Sequence, residues 1–429
     1  MPEHTVPEHT QHDLAPVAAS APARRVGALF ITIYALALLG IWMSIMLPAS
    51  VTIALRISEL DPDGKTDSYS IAAGLGTLVA LLANPFFGRL SDRTRSRFGR
   101  RRPWIAIGLA GTMVGALVIA LSDSFPLLLV GWLIMQAFIN ASIAAALAVV
   151  ADRVPVAQQG LVGALSGMAS SASLVIGVFF VEWFPTNILA QFGLPVVVAL
   201  VFCGILMWLL RGDDSRGLPR QPFGIGEFFG SFLINPRRSP DFALFLVTMF
   251  LVSCGVAVVS TYTVYILQDR VNVSDDAIGR VITLAYVIPG IIATILAPFV
   301  GWLNDRTGRR KLLMGAAAIV NGAGTVMLAT ATEVTPFLIA VCVAAGLGLG
   351  LLSGTYIGFA ISTMNDPSTS ARDLGVTNIA YTLPFSMMPF AAPLLLGIGG
   401  GGNYPALLIT GGALSILGIV PMLFIRATR

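Results

Sequence analysis

Two short segments of the sequence set carboxylates, guanidinium groups and glycines at matched spacing. Gly88 to Trp104 reads GRLSDRTRSRFGRRRPW, and Gly301 to Lys311 reads GWLNDRTGRRK. The pattern Gly-x-x-x-Asp-Arg-Thr therefore occurs at Gly88, Asp92 and Arg93 and again at Gly301, Asp305 and Arg306, with the two aspartates 213 residues apart, half the chain. Such groups do reversible ion pairing rather than bond-making chemistry. A carboxylate beside guanidinium groups forms charge-assisted hydrogen bonds, and it also stabilises the positive end of a neighbouring helix. Glycines at the same level let backbones approach closely. We read Gly88, Asp92, Arg93, Gly99, Arg100 and Arg101, with Gly301, Asp305, Arg306, Arg309 and Arg310, as a conformational latch between helices.

Groups for enzymatic chemistry do not accompany them. The sequence has no nucleotide-binding glycine loop, no zinc-ligand cluster and no Ser-His-Asp set, since its three histidines, His4, His9 and His12, all fall in the first dozen residues. Cys203, Cys254 and Cys342 lie singly inside apolar runs, which predicts packing residues and neither a metal site nor a disulfide. The protein is expected not to be an enzyme and to need no cofactor or metal.

The elements that must position the repeated segments are membrane helices. Of the 429 residues 56% are hydrophobic and 11% charged, against roughly 25% charged in a soluble domain. Charge is confined to short connectors between apolar runs of about 20 residues, each long enough to cross a hydrocarbon layer of roughly 30 Å. Twelve such runs begin near Gly27, Ser70, Trp104, Phe125, Leu161, Phe192, Phe242, Ala277, Leu312, Pro336, Val376 and Tyr404. With both termini on one side, 22 of the 26 Lys and Arg residues share that side, and only Arg56, Lys65, Arg270 and Arg280 face the other. That asymmetry predicts a multi-pass protein of the cell membrane with both termini cytoplasmic. It also explains the net charge of +4 without a nucleic-acid partner.

The chain divides into a polar, disordered cytoplasmic tail (1–26), a six-helix bundle (27–211), a cytoplasmic linker (212–240) and a second six-helix bundle (241–429). The linker carries four prolines and an amphipathic stretch, GIGEFFGSFLI, suited to the membrane surface. A second marker supports duplication: Ala151-Asp152-Arg153 closes run four and Asn365-Asp366-Pro367 closes run ten, 214 residues on. Two markers at nearly one offset predict parallel repeats.

On these hairpins and this six-plus-six pattern, the chain resembles the major facilitator superfamily along its whole length. The first hairpin carries Arg95-Ser96-Arg97-Phe98 as four extra residues, a form similar to the loop of glycoside–pentoside–hexuronide symporters and sucrose transporters. The resemblance implies an all-α membrane fold of twelve helices in two pseudo-symmetric bundles. It also implies a solute site near mid-membrane between the halves, opened alternately to either side. Polar and aromatic residues mid-run are then the cavity candidates: Tyr34, Gln136, Asn140, Ser170, Tyr286, Tyr356, Asn378 and Tyr381. Gly163 and Gly167 are expected to form a packing seam, as is the glycine series from Gly346 to Gly358. Pro384, Pro389 and Pro393 are expected to bend run eleven.

The candidate cavity groups are neutral, which suits a small neutral organic solute such as a sugar or glycoside, because a charged one would need a buried counter-charge. A secondary active transporter of that kind is expected to be coupled to a proton or sodium ion and to work as a monomer, its partners being solute and lipid. Glu182 is the one carboxylate embedded in an apolar run and the candidate proton site. Two features depart from the sugar symporters: Gln136 stands where sucrose transporters carry a carboxylate, and the early runs lack a sodium-site acidic pair. Run five also lacks the Gly-Pro signature of drug antiporters. The alternatives are an exporter of a hydrophobic drug or metabolite and a transport-inactive sensor or scaffold on the same fold.

Overall fold

The computed structural model describes residues 25–212, 214–216, 239–364 and 370–426. The histidine-bearing tail, the amphipathic linker stretch and the Asn365-Asp366-Pro367 marker lie outside the described residues. Twelve helices are long and apolar enough to span a membrane: α1 (Ala28–Leu60), α2 (Lys65–Arg93), α3 (Arg102–Ala120), α4 (Phe125–Arg153), α5 (Leu161–Trp183) and α6 (Ile188–Leu209) in the first half, and α7 (Pro240–Arg270), α8 (Asp276–Thr307), α9 (Arg310–Leu328), α10 (Val334–Thr363), α11 (Asp373–Leu396) and α12 (Tyr404–Leu423) in the second. Two pseudo-symmetric six-helix bundles result, with no strand among the described residues.

Local chemistry sets the helix ends. Proline occupies the first turn of α3, α4, α7 and α12, where its missing N–H costs nothing. Asn187 and Asn403 cap α6 and α12 by accepting the N–H of Ala190 and Ala406, each at 3.0 Å. Both hairpins turn on a glycine in the left-handed region, Gly99 at φ +80° and Gly308 at φ +65°. Gly308-Arg309-Arg310 is thus the counterpart of Gly99-Arg100-Arg101 once the four-residue insertion is removed.

Three spans depart from regular α geometry. A π-helical stretch interrupts α1 at Pro48–Thr52, another ends α7 at Ile266–Arg270, and a third runs through α10 at Cys342–Gly348. The α11 helix breaks at Leu383, as its prolines require, into Ser370–Thr382 and Pro384–Leu396.

Small residues set the packing. Ala297 O lies 2.5 Å from where a Cβ on Gly354 would stand, and the Cα of Asn321 lies 2.7 Å from one on Gly348, so the glycine face of α10 is pressed onto α8 and α9. The other expected seam is absent: nothing stands within 4 Å of a Cβ at Gly163 or Gly167, because that face of α5 meets no neighbouring helix. Close approach at Gly88 and Gly301 is absent too. A Cβ there would find its nearest neighbours, Ala144 Cβ and Gly354 O, at 3.7 and 3.6 Å, which is ordinary contact.

Candidate functional site

The first hairpin is an assembled charge cluster. Arg101, 8% exposed, donates to Asp92 at 2.6 Å and to Asp152 at the end of α4 at 2.7 Å. It also donates to Ser91 Oγ at 3.0 Å, and Arg100 pairs with Asp152 as well. One buried guanidinium therefore ties the ends of α2, α3 and α4 together, with its hydrogen-bonding fork filled by two carboxylates and a hydroxyl. Trp104 Nε1 donates to Thr94 Oγ1 at 2.7 Å and fixes the turn leading into α3.

The inserted residues have a task of their own. Ser215, at the start of the linker, donates through its hydroxyl to Thr94 O at 3.0 Å and accepts the N–H of Ser96 at 2.9 Å. Its own N–H donates to Ser96 O at 3.1 Å. Phe98 lies under Arg97 and Arg102, with guanidinium carbons 4.7 and 5.7 Å from the ring centre.

The second hairpin has the same residues and a different arrangement. Asp305, Arg306 and Arg309 are exposed, and among the described residues Asp305 forms no ion pair. Arg306 lies over Trp302 at 5.3 Å, and Lys311 donates to Ile425 O. Asn304 takes the place of Ser91, yet its buried Oδ1 has no donor. The expectation of two matched latches is corrected for this conformation: one is closed within the first half, and the other is not formed.

The candidate cavity residues separate into three groups. Tyr34 is buried within the first bundle, its hydroxyl donating to Ala146 O at 3.2 Å, and Ser170 is half-buried and accepts only through its carbonyl, from Ser173. Tyr286 crosses between the halves. Its hydroxyl donates at 3.0 Å to Ser50 O, and Tyr69 donates to Ala49 O at 2.9 Å, both carbonyls belonging to the π-helical stretch of α1. The remaining group lies along the seam between α2, α4, α10 and α11. Asn140 donates to Gln136 O at 2.9 Å and accepts from Asn84 at 3.4 Å, while the buried Oε1 of Gln136 has no partner. Opposite them, the rings of Tyr356 and Tyr381 stack with centres 6.4 Å apart, and Tyr381 meets Phe385 at 5.7 Å. Thr77 donates to Phe385 O at 3.3 Å and Ser386 to Gly74 O at 2.9 Å, which brings α2 and α11 together just beyond this group. Asn378 is exposed one turn from Tyr381.

On the other seam, α5 and α8 cross where Val175 approaches Gly290 and Glu182 approaches Gly279, then diverge toward the hairpin face. A cavity of about 400 Å³ opens there, lined by aliphatic residues that include Leu36, Leu39, Met168, Ala172 and Ile291. Glu182 is half-buried at the end of α5, on the face opposite the hairpins.

That far face holds polar contacts between the halves. Lys65 pairs with Asp269, Ser58 donates to Gln268 at 3.1 Å, Tyr265 donates to Ala54 O at 3.2 Å, and Ser70 shares a hydrogen bond with Tyr262 at 2.7 Å. Sequence reasoning missed these residues, as it missed Asn84, Ser215 and the role of Asp152. The only signal was opposite charge on opposite halves, at Lys65 and Asp269.

The pattern of the Major Facilitator Superfamily matches residues 29–389 and, separately, 280–429. The chain belongs to the major facilitator superfamily. Within it, the chain is 25% identical over 296 residues to a multidrug resistance protein, MdtG, of Proteus mirabilis (strain HI4320), covering 67% of this chain and 69% of that one. It is 32% identical over 151 residues to the uncharacterized MFS-type transporter YfiU of Bacillus subtilis (strain 168), covering 32% of this chain and 28% of that one. Among solved structures of the fold, it superposes on a mutant form of the nucleoside transporter NupG with a TM-score of 0.72 at 10% identity, covering 92% of this chain and 99% of that one. A bacterial homologue of the lysosomal transporter Spinster, solved inward-facing and unoccupied, gives 0.65 at 15% identity, covering 94% and 96%.

Proposed function

We propose that this facilitator is a secondary active transporter in the cell membrane, its hairpins and termini cytoplasmic, moving a small neutral organic solute of sugar or glycoside type by alternating access. The observation carrying this reading is the neutral seam between α2, α4, α10 and α11. One half offers the amides of Asn84 and Asn140, and the other offers the stacked rings of Tyr356 and Tyr381. Amides that hydrogen-bond hydroxyls, set opposite flat aromatic faces, suit a polyhydroxylated ring. The charged residues of the described spans sit toward helix ends. An ionic solute would have no buried counter-charge to meet. The longer first hairpin, with Arg95 to Phe98 engaged by Ser215, supports a relation to the glycoside–pentoside–hexuronide branch. Coupling is to a proton or sodium ion, and Glu182 is the candidate proton carrier.

A second reading, export of a hydrophobic compound, is favoured by the aliphatic cavity between α1, α5 and α8 and by the drug-resistance name of the MdtG relatives. Flux into and out of reconstituted vesicles, with and without a proton or sodium gradient, separates the two. Gradient-driven uptake of labelled disaccharides or glycosides, reduced at least tenfold in Asn140→Ala and Tyr381→Ala, is expected. Efflux of a lipophilic dye, with no sugar flux, would reverse the ranking. Unaltered gradient-driven uptake in Glu182→Gln would remove that residue as the proton carrier.

A further inference from the structure

The transport cycle requires the face opposite the hairpins to open, and something must hold it shut in this conformation. The inference here rests on the transporter reading but on no particular solute. We propose that Asp269 closes that face through a charge lock with Lys65 of the other half, and that parting this pair permits the outward-open state.

The geometry gives each partner a distinct task. Asp269 lies in the π-helical end of α7, where Tyr404 of α12 donates to its Oδ2 at 2.6 Å. The next residue, Arg270, donates to Ala331 O at 3.1 Å, between α9 and α10. Both anchors belong to the second half, so the carboxylate is held there whichever way the halves rock. Lys65 opens α2 in the first half, its ammonium 5.5 Å from the ring centre of Tyr265 and paired with Asp269 Oδ1. The pair is thus the one contact of the far cluster in which opposite charges from the two halves meet. Around it, Ser58–Gln268, Tyr265–Ala54 and Ser70–Tyr262 are neutral hydrogen bonds of the kind that water replaces readily.

Two further observations fit a lock that must open. The side chains of Lys65 and Asp269 are 20% and 29% exposed, so parting them completes hydration already begun rather than stranding a buried charge. On the hairpin face, Asp92, Arg101 and Asp152 satisfy one another inside the first half. That cluster stiffens its own bundle and does not hold the halves together. Asp269 is accordingly a positioning residue, with Tyr404 as its support.

Solvent access to the seam tests the lock without any solute. In a background with Cys203, Cys254 and Cys342 replaced, Ser70→Cys reports on the far face, because Ser70 is buried against Tyr262. A membrane-impermeant maleimide is added to vesicles on the side from which Arg97→Cys in the first hairpin is not labelled. Labelling of Ser70→Cys should rise about fivefold in Asp269→Asn and in Lys65→Gln, the population shift expected when a partly exposed ion pair is lost. Tyr404→Phe should raise it less. The exchanged pair, Lys65→Asp with Asp269→Lys, should return it toward the parent rate, which a merely structural role would not do. An unchanged labelling rate in both single variants, or an exchanged pair that labels as fast as they do, overturns the proposal. Should Asp269→Asn fail to fold, Lys65→Gln and Tyr404→Phe carry the same test. Sugar flux that persists while labelling stays flat rejects the lock alone. Labelling that rises in a protein without sugar flux rejects only the solute assignment.

Discussion

At the scale of single residues, the two hairpins show how one motif takes two states within one chain. Arg101 is buried and filled by Asp92, Asp152 and Ser91, whereas Asp305 stands exposed. Removing Asp152 leaves a buried guanidinium short of its principal partner, a loss of about 2 kcal/mol, between the values for exposed and buried pairs. Asp152→Asn is therefore expected to lower the thermal unfolding midpoint of the purified protein by several degrees, while Asp305→Asn moves it by no more than a degree or so; equal shifts would refute the asymmetry. The aspartates and arginines of this cluster were legible because type and spacing repeat 213 residues apart. Asp152 was legible only as a marker of duplication. Its partnership with Arg101 depends on α4 returning beside the hairpin, which no local spacing encodes. Lys65 and Asp269, 204 residues apart, were hidden for the same reason.

Among the elements, helix number and order followed from apolar length alone, and the starts did not. The helices reach back to Lys65 and Asp373 rather than beginning near Ser70 and Val376, because a helix continues through the interfacial layer after its residues cease to be apolar. The broken α11 was legible in its prolines. The π-helical stretches were not, since they answer to packing and to the hydroxyls of Tyr69 and Tyr286. Glycines make the sharpest contrast, because sequence shows their spacing and not what faces them. A methyl on Gly354 would meet Ala297 O at 2.5 Å, and one on Gly163 would meet open space. Gly354→Ala should therefore cost about 1–3 kcal/mol through overpacking. Gly163→Ala should be neutral or stabilising by up to about 1 kcal/mol, as expected for alanine in a helix. Thermal unfolding of the two variants in the same detergent checks both values, and equal destabilisation would mean that α5 is packed where the structure leaves it free.

For the whole molecule, parallel duplication was readable from two repeated markers, and the conformation was not, since both states of an alternating carrier share one sequence. The structure supplies the conformation: hydrogen bonds join the halves at the far face and at mid-depth, while α5 and α8 diverge toward the hairpins around an aliphatic cavity. Rocking of the two bundles would exchange these openings, and that exchange is the central claim. Paired spin labels measure it directly in lipid nanodiscs, one pair at Asp63→Cys and Asn272→Cys on the far face and one at Arg95→Cys and Thr307→Cys on the hairpin face, each recorded with and without whichever probe the flux screen shows to be carried. The account predicts two populations in each pair that shift in opposite senses, the far-face distance lengthening as the hairpin-face distance shortens. Distances that stay fixed, or that lengthen and shorten together, would contradict it.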